Sequence, residues 1–265
     1  VDKDKKIVAQ GEKECKIRKG EKVAVPQNLT VVHPLLWSVD SPNLYSLVTE
    51  VIQDGDRIDC TEETFGIRSI QFDAQRGFLL NGKVLKLKGG CIHHDNGPLG
   101  AMAFDRAEER KVELHKAAGF NALRMAHNPP SPALLDACDR LGILVIDEAF
   151  DVWRYGHFKE DYSKHFDILW KEDLKKMILR DRNHPSVIMW SIGNEIKYNE
   201  TEEMALLSGK LADYVRSIDN TRPVTAGVNA VSEKKDAYLN TLDVAGYNYS
   251  PKEYVSGHQR HPEQL

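Results

Sequence analysis

Acid, amide and imidazole side chains recur in this sequence directly after short apolar runs. Val84 to Gly89 leads to Gly89-Gly90-Cys91-Ile92-His93-His94-Asp95, and Asn121 to Leu123 leads to Arg124-Met125-Ala126-His127-Asn128-Pro129. Ile143 to Ile146 leads to Asp147-Glu148, and Val187 to Trp190 leads to Ser191-Ile192-Gly193-Asn194-Glu195. A last run near Val244 leads to Gly246-Tyr247-Asn248-Tyr249. A carboxyl group such as that of Glu195 can move a proton. Imidazoles beside carboxylates, here His93, His94, His127 and Asp147, are the donor types of a divalent metal in a hydrolase. Plainer uses stand beside both chemistries. Glu195 can cap a following helix. Only one of His93 and His94 can face a given side of an extended chain, and the same alternation separates Asp147 from Glu148. Arg124 reads equally as a ligand contact or as the buried partner of one of these acids, and mid-strand Trp190 as packing.

The segments between the clusters show what would bring them together. Asp105 to Ala118 predicts a helix, opened by an Asp105–Glu108 capping box and stopped by Gly119. Pro132 to Leu141 predicts another, with Ser131 as N-cap and Gly142 as terminator. Phe166 to Arg180 and Glu202 to Ile218 carry apolar residues at helical spacing. Apolar strands are predicted at Val84 to Gly89, Asn121 to Met125, Ile143 to Asp147 and Val187 to Ile192, and near Val224 and Val244. Their alternation with helices means a parallel sheet covered on its outer face. With about six βα units and no glycine-rich phosphate loop after the first strand, a barrel is favoured over a dinucleotide fold. The C-terminal strand ends of such a barrel share one rim, and the clusters all fall there.

Residues 1–70 read differently. Short alternating or β-branched runs occupy Cys15 to Arg18, Lys22 to Val25, Leu29 to Val32, Leu44 to Ile52, Arg57 to Cys60 and Arg68 to Phe72. Turn residues separate them, including Asp54-Gly55 and Pro26, Pro34 and Pro42, and none keeps a helical period. They predict part of an antiparallel β-sandwich. A hairpin tipped by Asn81-Gly82 follows. The expected organisation is α/β: sandwich strands over residues 1–70, then the first six or so βα units of an incomplete (β/α)8 TIM barrel over residues 71–265.

Composition narrows the partners. The 265 residues are 41% hydrophobic and 8% aromatic, enough to build a substantial core rather than a disordered chain. The net charge of −4, from 36 basic and 40 acidic residues, argues against nucleic acid as a partner. No apolar run reaches the roughly 18–20 residues of a bilayer span, so no membrane partner is expected. The chain opens Val1-Asp2-Lys3 without an apolar signal core, so any targeting peptide is expected to be removed or to lie upstream. Cys15, Cys60, Cys91 and Cys138 are too scattered for a zinc or redox pair and read as buried free thiols, which fix no compartment.

A wider pattern runs through the chain. Leu36-Trp37-Ser38, Pro42-Asn43-Leu44-Tyr45 and Phe65-Gly66-Ile67-Arg68 are followed by Asn81-Gly82-Lys83, His93-His94-Asp95 and Arg124 to Pro129. Asp147-Glu148-Ala149 comes next, then Arg182-Asn183-His184-Pro185 leading to Trp190 and on to Glu195. In this order the motifs resemble glycoside hydrolase family 2, which contains β-galactosidases, β-glucuronidases and β-mannosidases. The first three look like the end of that family's immunoglobulin-like domain, the others like its barrel. The resemblance implies a retaining exo-β-glycosidase of the β-galactosidase type, acting on a carbohydrate through two carboxyl groups about 5–5.5 Å apart. It implies Glu195 as the general acid/base and Asn194 on the sugar 2-hydroxyl. His94 and His127 would line the sugar pocket with Arg124 behind them, Asp147 would also bind substrate, and Tyr249, or else Tyr247, would lie near the nucleophile. β-Glucuronidase, β-mannosidase and a carbohydrate-binding barrel without catalysis are the alternatives it leaves, and it allows a homo-oligomer built through the full-length protein.

Two departures qualify the resemblance. Magnesium-dependent β-galactosidases of the family carry a Glu-x-His pair after the third strand; here the stretch reads Asp151-Val152-Trp153-Arg154, so no metal and no cofactor are expected. The family nucleophile is a Glu at the end of the seventh strand, and nothing between Tyr249 and Leu265 matches it. The expectation is an internal piece of a longer enzyme that holds the acid/base without its nucleophile and is inactive by itself.

Overall fold

The computed structural model describes residues 1–264. β1 (Tyr45–Gln53) and β2 (Asp56–Phe65) form an antiparallel ribbon. Their two-residue turn, Asp54-Gly55, has φ of +53° and +92°, the left-handed pair that matches the twist of a tight hairpin. The runs expected as strands at Cys15, Lys22 and Leu29 are not strands. They are largely exposed and have no ladder partner among the described residues, and a segment becomes a strand only where its N–H and C=O groups meet a neighbour's. The sandwich is therefore represented by one ribbon, exposed on both faces. For the same reason the thiols of Cys15 and Cys60 are exposed rather than buried; Cys91 is exposed too, at a sheet edge, and Cys138 alone of the four is buried.

β3 (Ile70–Asp73), β4 (Gly77–Leu80) and β5 (Lys83–Val84) make a three-stranded antiparallel sheet, with Asn81-Gly82 as the β4–β5 turn. Val84 pairs with Leu79 across this turn, so the first barrel strand is not Val84 to Gly89 but β6 (Gly89–Ile92). Gly89 is required where it stands: a Cβ there would lie 1.9 Å from the carbonyl oxygen of Ala122.

From β6 onward strands and helices alternate. α1 (Asp105–Ala117) leads to β7 (Ala122–Met125), α2 (Pro132–Leu141) to β8 (Leu144–Glu148), and α3 (Ser163–Asp181) to β9 (Val187–Asn194). α4 (Glu202–Ile218) leads to β10 (Val224–Asn229), and the short α5 (Asp236–Leu239) to β11 (Val244–Asn248), after which α6 (Tyr254–Arg260) closes the described chain. The six strands form one parallel sheet in sequence order, with β6 and β11 at its edges, the arrangement of an incomplete (β/α)8 barrel. Among the described residues no helix is long and apolar enough to cross a membrane.

Local signals account for much of this. Ser131 Oγ accepts the Leu134 N–H at the start of α2, and Gly142 ends that helix in the left-handed region at φ +71°. The capping box expected on α1 does not form. Phe104 is the N-cap, and Glu108 turns inward to accept from Asn96 Nδ2 at 2.8 Å and Ser131 Oγ at 3.2 Å. Buried donors from neighbouring loops outcompete a cap that solvent could satisfy.

Two apolar layers hold the barrel. Val145, Trp190, Ile192, Ala226 and Val228 point outward against Leu135, Leu174, Ile178, Leu207 and Leu211 of the helices, all buried. At about 1.5–3 kcal/mol per fully buried large side chain, this layer is the main source of stability. Inside, at the N-terminal strand ends, Ala122, Leu144, Ile188 and Met189 meet Trp37, Val39, Phe78 and Leu80. Fully buried Trp37 donates its indole N–H to the Asp139 carbonyl at 2.8 Å, and Arg68 donates to the Pro185 and Val187 carbonyls. This plug closes the barrel floor. His184 belongs to it, with Nδ1 2.6 Å from Asp139 Oδ2.

Candidate active site

The C-terminal rim is polar because alternation along each strand sends one side chain outward and the next inward. On β7 and β8, Arg124 pairs in register with Ile146 and faces inward, as does Glu148 beside Ser191. Glu148 is fully buried and its oxygens are saturated. Arg124 donates to it from Nε at 3.0 Å and from one terminal nitrogen at 2.9 and 2.7 Å, Ser191 Oγ at 2.6 Å, and His127 Nδ1 lies 2.7 Å from Oε1. A carboxylate in that position fixes the His127 tautomer with the proton on Nδ1 and leaves Nε2 as an acceptor. Burial alone would lower the Arg124 pKa; the charge and hydrogen bonds of Glu148 outweigh it and hold that pKa above the ordinary arginine value.

Asn194 reaches the inner face through an irregularity in β9. Ser191 and Asn194 are three residues apart, yet they pair with Thr225 and Gly227 of β10, two apart. The extra residue is a bulge that reverses the alternation. Asn194 Oδ1 then accepts from Arg124 at 2.7 Å and from Asn248 Nδ2 at 3.0 Å. Gly227 makes room for this meeting: a Cβ there would lie 2.7 Å from the Arg124 guanidinium and 2.9 Å from Asn194 Oδ1.

Glu195 follows in the left-handed region at φ +47°, its N–H bonded to the Gly227 carbonyl at 2.7 Å. A non-glycine residue in that region costs about 1–2 kcal/mol, and such residues gather at functional sites. The Glu195 carboxyl group is half-buried and gripped on both oxygens: Asn248 Nδ2 donates to Oε1 at 2.9 Å and Asn229 Nδ2 to Oε2 at 3.0 Å.

The structure thus brings Glu195, Asn194, Arg124 and His127 together, with three corrections and two additions. Asp147 takes no part. It faces outward beneath the helices, and Glu148 holds the place expected for it. Tyr249 is 90% exposed and directed away, while Tyr247 is on the outer face, lining a cavity of about 220 Å³ with Tyr254 and Gly257. The inner residue of that strand end is Asn248. Of the two adjacent histidines, exposed His94 reaches only the Asn128 carbonyl, at 3.5 Å, whereas the His93 ring stands edge-on to His127 with centroids 5.1 Å apart. Asn229 and Asn248 are the additions. The repeated Ala-Gly-x-Asn of residues 226–229 and 245–248, register partners in adjacent strands, was the signal for both.

With Asp147 on the far face, the metal set of His93, His94, His127 and Asp147 does not converge. Among the described residues, Asp136, Asp139 and His184 place ligand atoms within 4.8 Å of one another, but at the barrel floor, where the His184–Asp139 hydrogen bond accounts for the grouping.

Asp147 has a consequence of its own. It is fully buried, neither carboxylate oxygen has a hydrogen-bond partner among the described residues, and it faces Asp181, which Arg180 neutralises at 2.6 and 2.7 Å. Burial first, and then the Asp181 charge, push its pKa well above 3.8. Unfolded, the residue ionises near 3.8; folded, it keeps its proton to higher pH, so stability falls as pH rises from about 4 toward the raised value. Asp147→Asn should therefore raise the melting temperature of the full-length protein at pH 7–8 by a few degrees and lose that advantage near pH 4. His184, whose pKa Asp139 raises against burial, also sheds stability as pH rises, so the difference between variant and wild type is the quantity to read. An unchanged difference from pH 4 to 8 would count against a protonated Asp147.

Six parallel βα units with an acid held at the C-terminal rim define part of a (β/α)8 barrel with its active-site end preserved. Glycosyl hydrolases family 2, TIM barrel domain, matches residues 73–259, and Glycosyl hydrolases family 2 matches residues 1–68. The chain belongs to glycosyl hydrolase family 2. Beta-galactosidase BoGH2A of Bacteroides ovatus is 40% identical to it over 284 residues, covering 95% of this chain and 33% of that protein. The beta-glucuronidase of Bacteroides fragilis is 28% identical over 273 residues, covering 97% of this chain and 38% of that protein. The crystal structure of a family member from Bacteroides cellulosilyticus superposes with a TM-score of 0.96 at 59% identity, over 100% of this chain and 34% of that one. A β-glycosidase from Bacteroides vulgatus gives 0.79 at 38% identity, over 88% and 29%. The chain spans about a third of the length of the B. ovatus and B. fragilis relatives, 33% and 38%.

Proposed function

We propose that the protein containing this chain is a retaining exo-β-glycosidase of the β-galactosidase type, with Glu195 as its general acid/base. The grip on Glu195 carries the reading: a carboxyl group held by two amide donors in a strained turn, at the rim where barrel enzymes do their chemistry. Glu195 gives its proton to the glycosidic oxygen as that bond breaks, then takes one from the water that releases the sugar. Both acceptor positions of Asn194 Oδ1 are occupied, which leaves Nδ2 to donate to a substrate hydroxyl. His127 offers Nε2 as an acceptor. The His93 ring stands edge-on beside it.

Retention needs a second carboxylate about 5–5.5 Å from the first. Glu148 is buried with both oxygens occupied, so it serves as scaffold, and in this proposal the nucleophile comes from the remainder of the longer protein. The division into sandwich strands over 1–70 and barrel from 71 is part of the same reading. A panel of nitrophenyl β-glycosides with the full-length protein tests the substrate class. Galactoside turnover should exceed glucuronide and mannoside turnover by at least tenfold. Faster glucuronide cleavage would replace the galactosidase reading, and sugar binding without turnover of any glycoside would remove the enzyme reading.

A further inference from the structure

We infer that Lys235 is a positioning residue for Glu195, acting through the side-chain amide of Asn229 and supplying the positive charge that favours the ionised form of that carboxyl group. The inference rests on the proposal that Glu195 is the acid/base. In sequence, Lys235 looks like one member of a solvated run, Glu233-Lys234-Lys235-Asp236. In the fold it turns back over the end of β10, half-buried, and donates from Nζ to the Asn229 backbone carbonyl at 2.7 Å and to Asn229 Oδ1 at 3.4 Å.

That contact decides how the Asn229 amide stands. An amide has an acceptor end and a donor end. With Oδ1 toward the ammonium, Nδ2 is the end that meets Glu195, donating to Oε2 at 3.0 Å. Cation, amide and carboxylate thus align in one dipolar chain. The other grip is neutral, since Asn248 Nδ2 is shared between Glu195 Oε1 and Asn194 Oδ1. Arg124 reaches Asn194 rather than Glu195, and Glu148 balances its charge. Lys235 itself faces two acids, Glu195 and Glu200; burial lowers its pKa, and the two carboxylates oppose that.

The two half-reactions ask for opposite states of Glu195. Bond cleavage needs the protonated form and the water step needs the carboxylate. A cation one amide away stabilises the carboxylate, keeping the base available for the second step and lowering the pH at which the first step fails.

The test uses the full-length enzyme and the pH profile of kcat/KM on a substrate with a poor leaving group, whose alkaline limb reports loss of the Glu195 proton. Lys235→Gln keeps a donor and removes the charge; the limb should move up by about half a pH unit or more. Lys235→Arg should leave the limb where the wild type has it. Should Lys235→Gln fail to fold, Asn229→Ser cuts the same chain and should move the limb in the same direction. A purely structural role would depress kcat/KM at every pH with the limb unmoved, and that result overturns the inference, as does an equal shift in Lys235→Arg. Glu195→Gln is measured alongside. Wild-type rates in that variant remove the acid/base reading itself, whereas their loss together with an unmoved limb in Lys235→Gln removes only the role of Lys235.

Discussion

Glu195→Ala in the full-length enzyme should lower kcat/KM on glycosides with poor leaving groups by about 10²- to 10⁴-fold, the usual contribution of a general acid. Activated aryl glycosides should lose far less in the first step, because their leaving groups depart without a proton. Their turnover then stalls at the second step, where no base activates water. Azide, a small nucleophile that needs no deprotonation and fits the space left by the carboxyl group, should restore it and yield glycosyl azide. The fold should survive. Alanine meets the left-handed backbone at φ +47° with no greater strain than glutamate, and the change removes two hydrogen bonds worth about 0.5–1.5 kcal/mol each. Equal losses on both substrate types, without azide rescue, would show that Glu195 is not the acid.

The second large effect concerns the ion pair beneath it. Arg124 and Glu148 are 15% and 0% exposed, so removing one strands the other away from water. Arg124→Met should cost about 3–5 kcal/mol. The double variant Arg124→Met with Glu148→Leu should recover most of that loss, since an apolar pair of similar volume is tolerated where a lone charge is not. It should nevertheless remain at least tenfold less active than wild type. Asn194 would have lost its 2.7 Å anchor, and His127 the acceptor that fixes its tautomer. Thermal melts beside kinetics separate the two roles. A single variant within about 1 kcal/mol of wild type would mean that water reaches Glu148 and the pair is not a buried one.

How far the sequence reveals the site depends on where each residue's partners lie. Ser131 and Gly142 bracket α2 through bonds within a few residues, and that helix is legible from its own sequence. Glu108 is not, because the groups that draw it away from a cap, Asn96 and Ser131, belong to other segments. The rim as a whole follows from the alternation of apolar strands with amphipathic helices, and Glu195, Asn194, Arg124 and His127 follow from position on it. The choice between neighbours does not. Asp147 against Glu148, and Tyr249 against Asn248, are questions of which of two consecutive side chains faces inward, and that is settled by strand register. One residue of displacement exchanges every inner and outer position. The runs before residue 44 show the same limit: their composition suits a strand, but the pairing partner is a property of other parts of the chain.

The bulge in β9 makes the site depend on a count as well as on residue types. Asn194 faces its partners because an odd number of positions separates it from Ser191 where an even number would be the rule. Substitution at Ile192 changes packing and leaves that arithmetic alone. Flattening the bulge with every residue kept would swing the amide toward the helix layer, into the space of Trp153 and Ile196, and carry Glu195 off its two asparagines, whereas loss of one codon between Ser191 and Asn194 would restore plain alternation and leave the amide inside, opposite Gly227. Among related sequences, a one-residue gap at this point would mark a strand that brings the same amide inward by plain alternation, without the bulge.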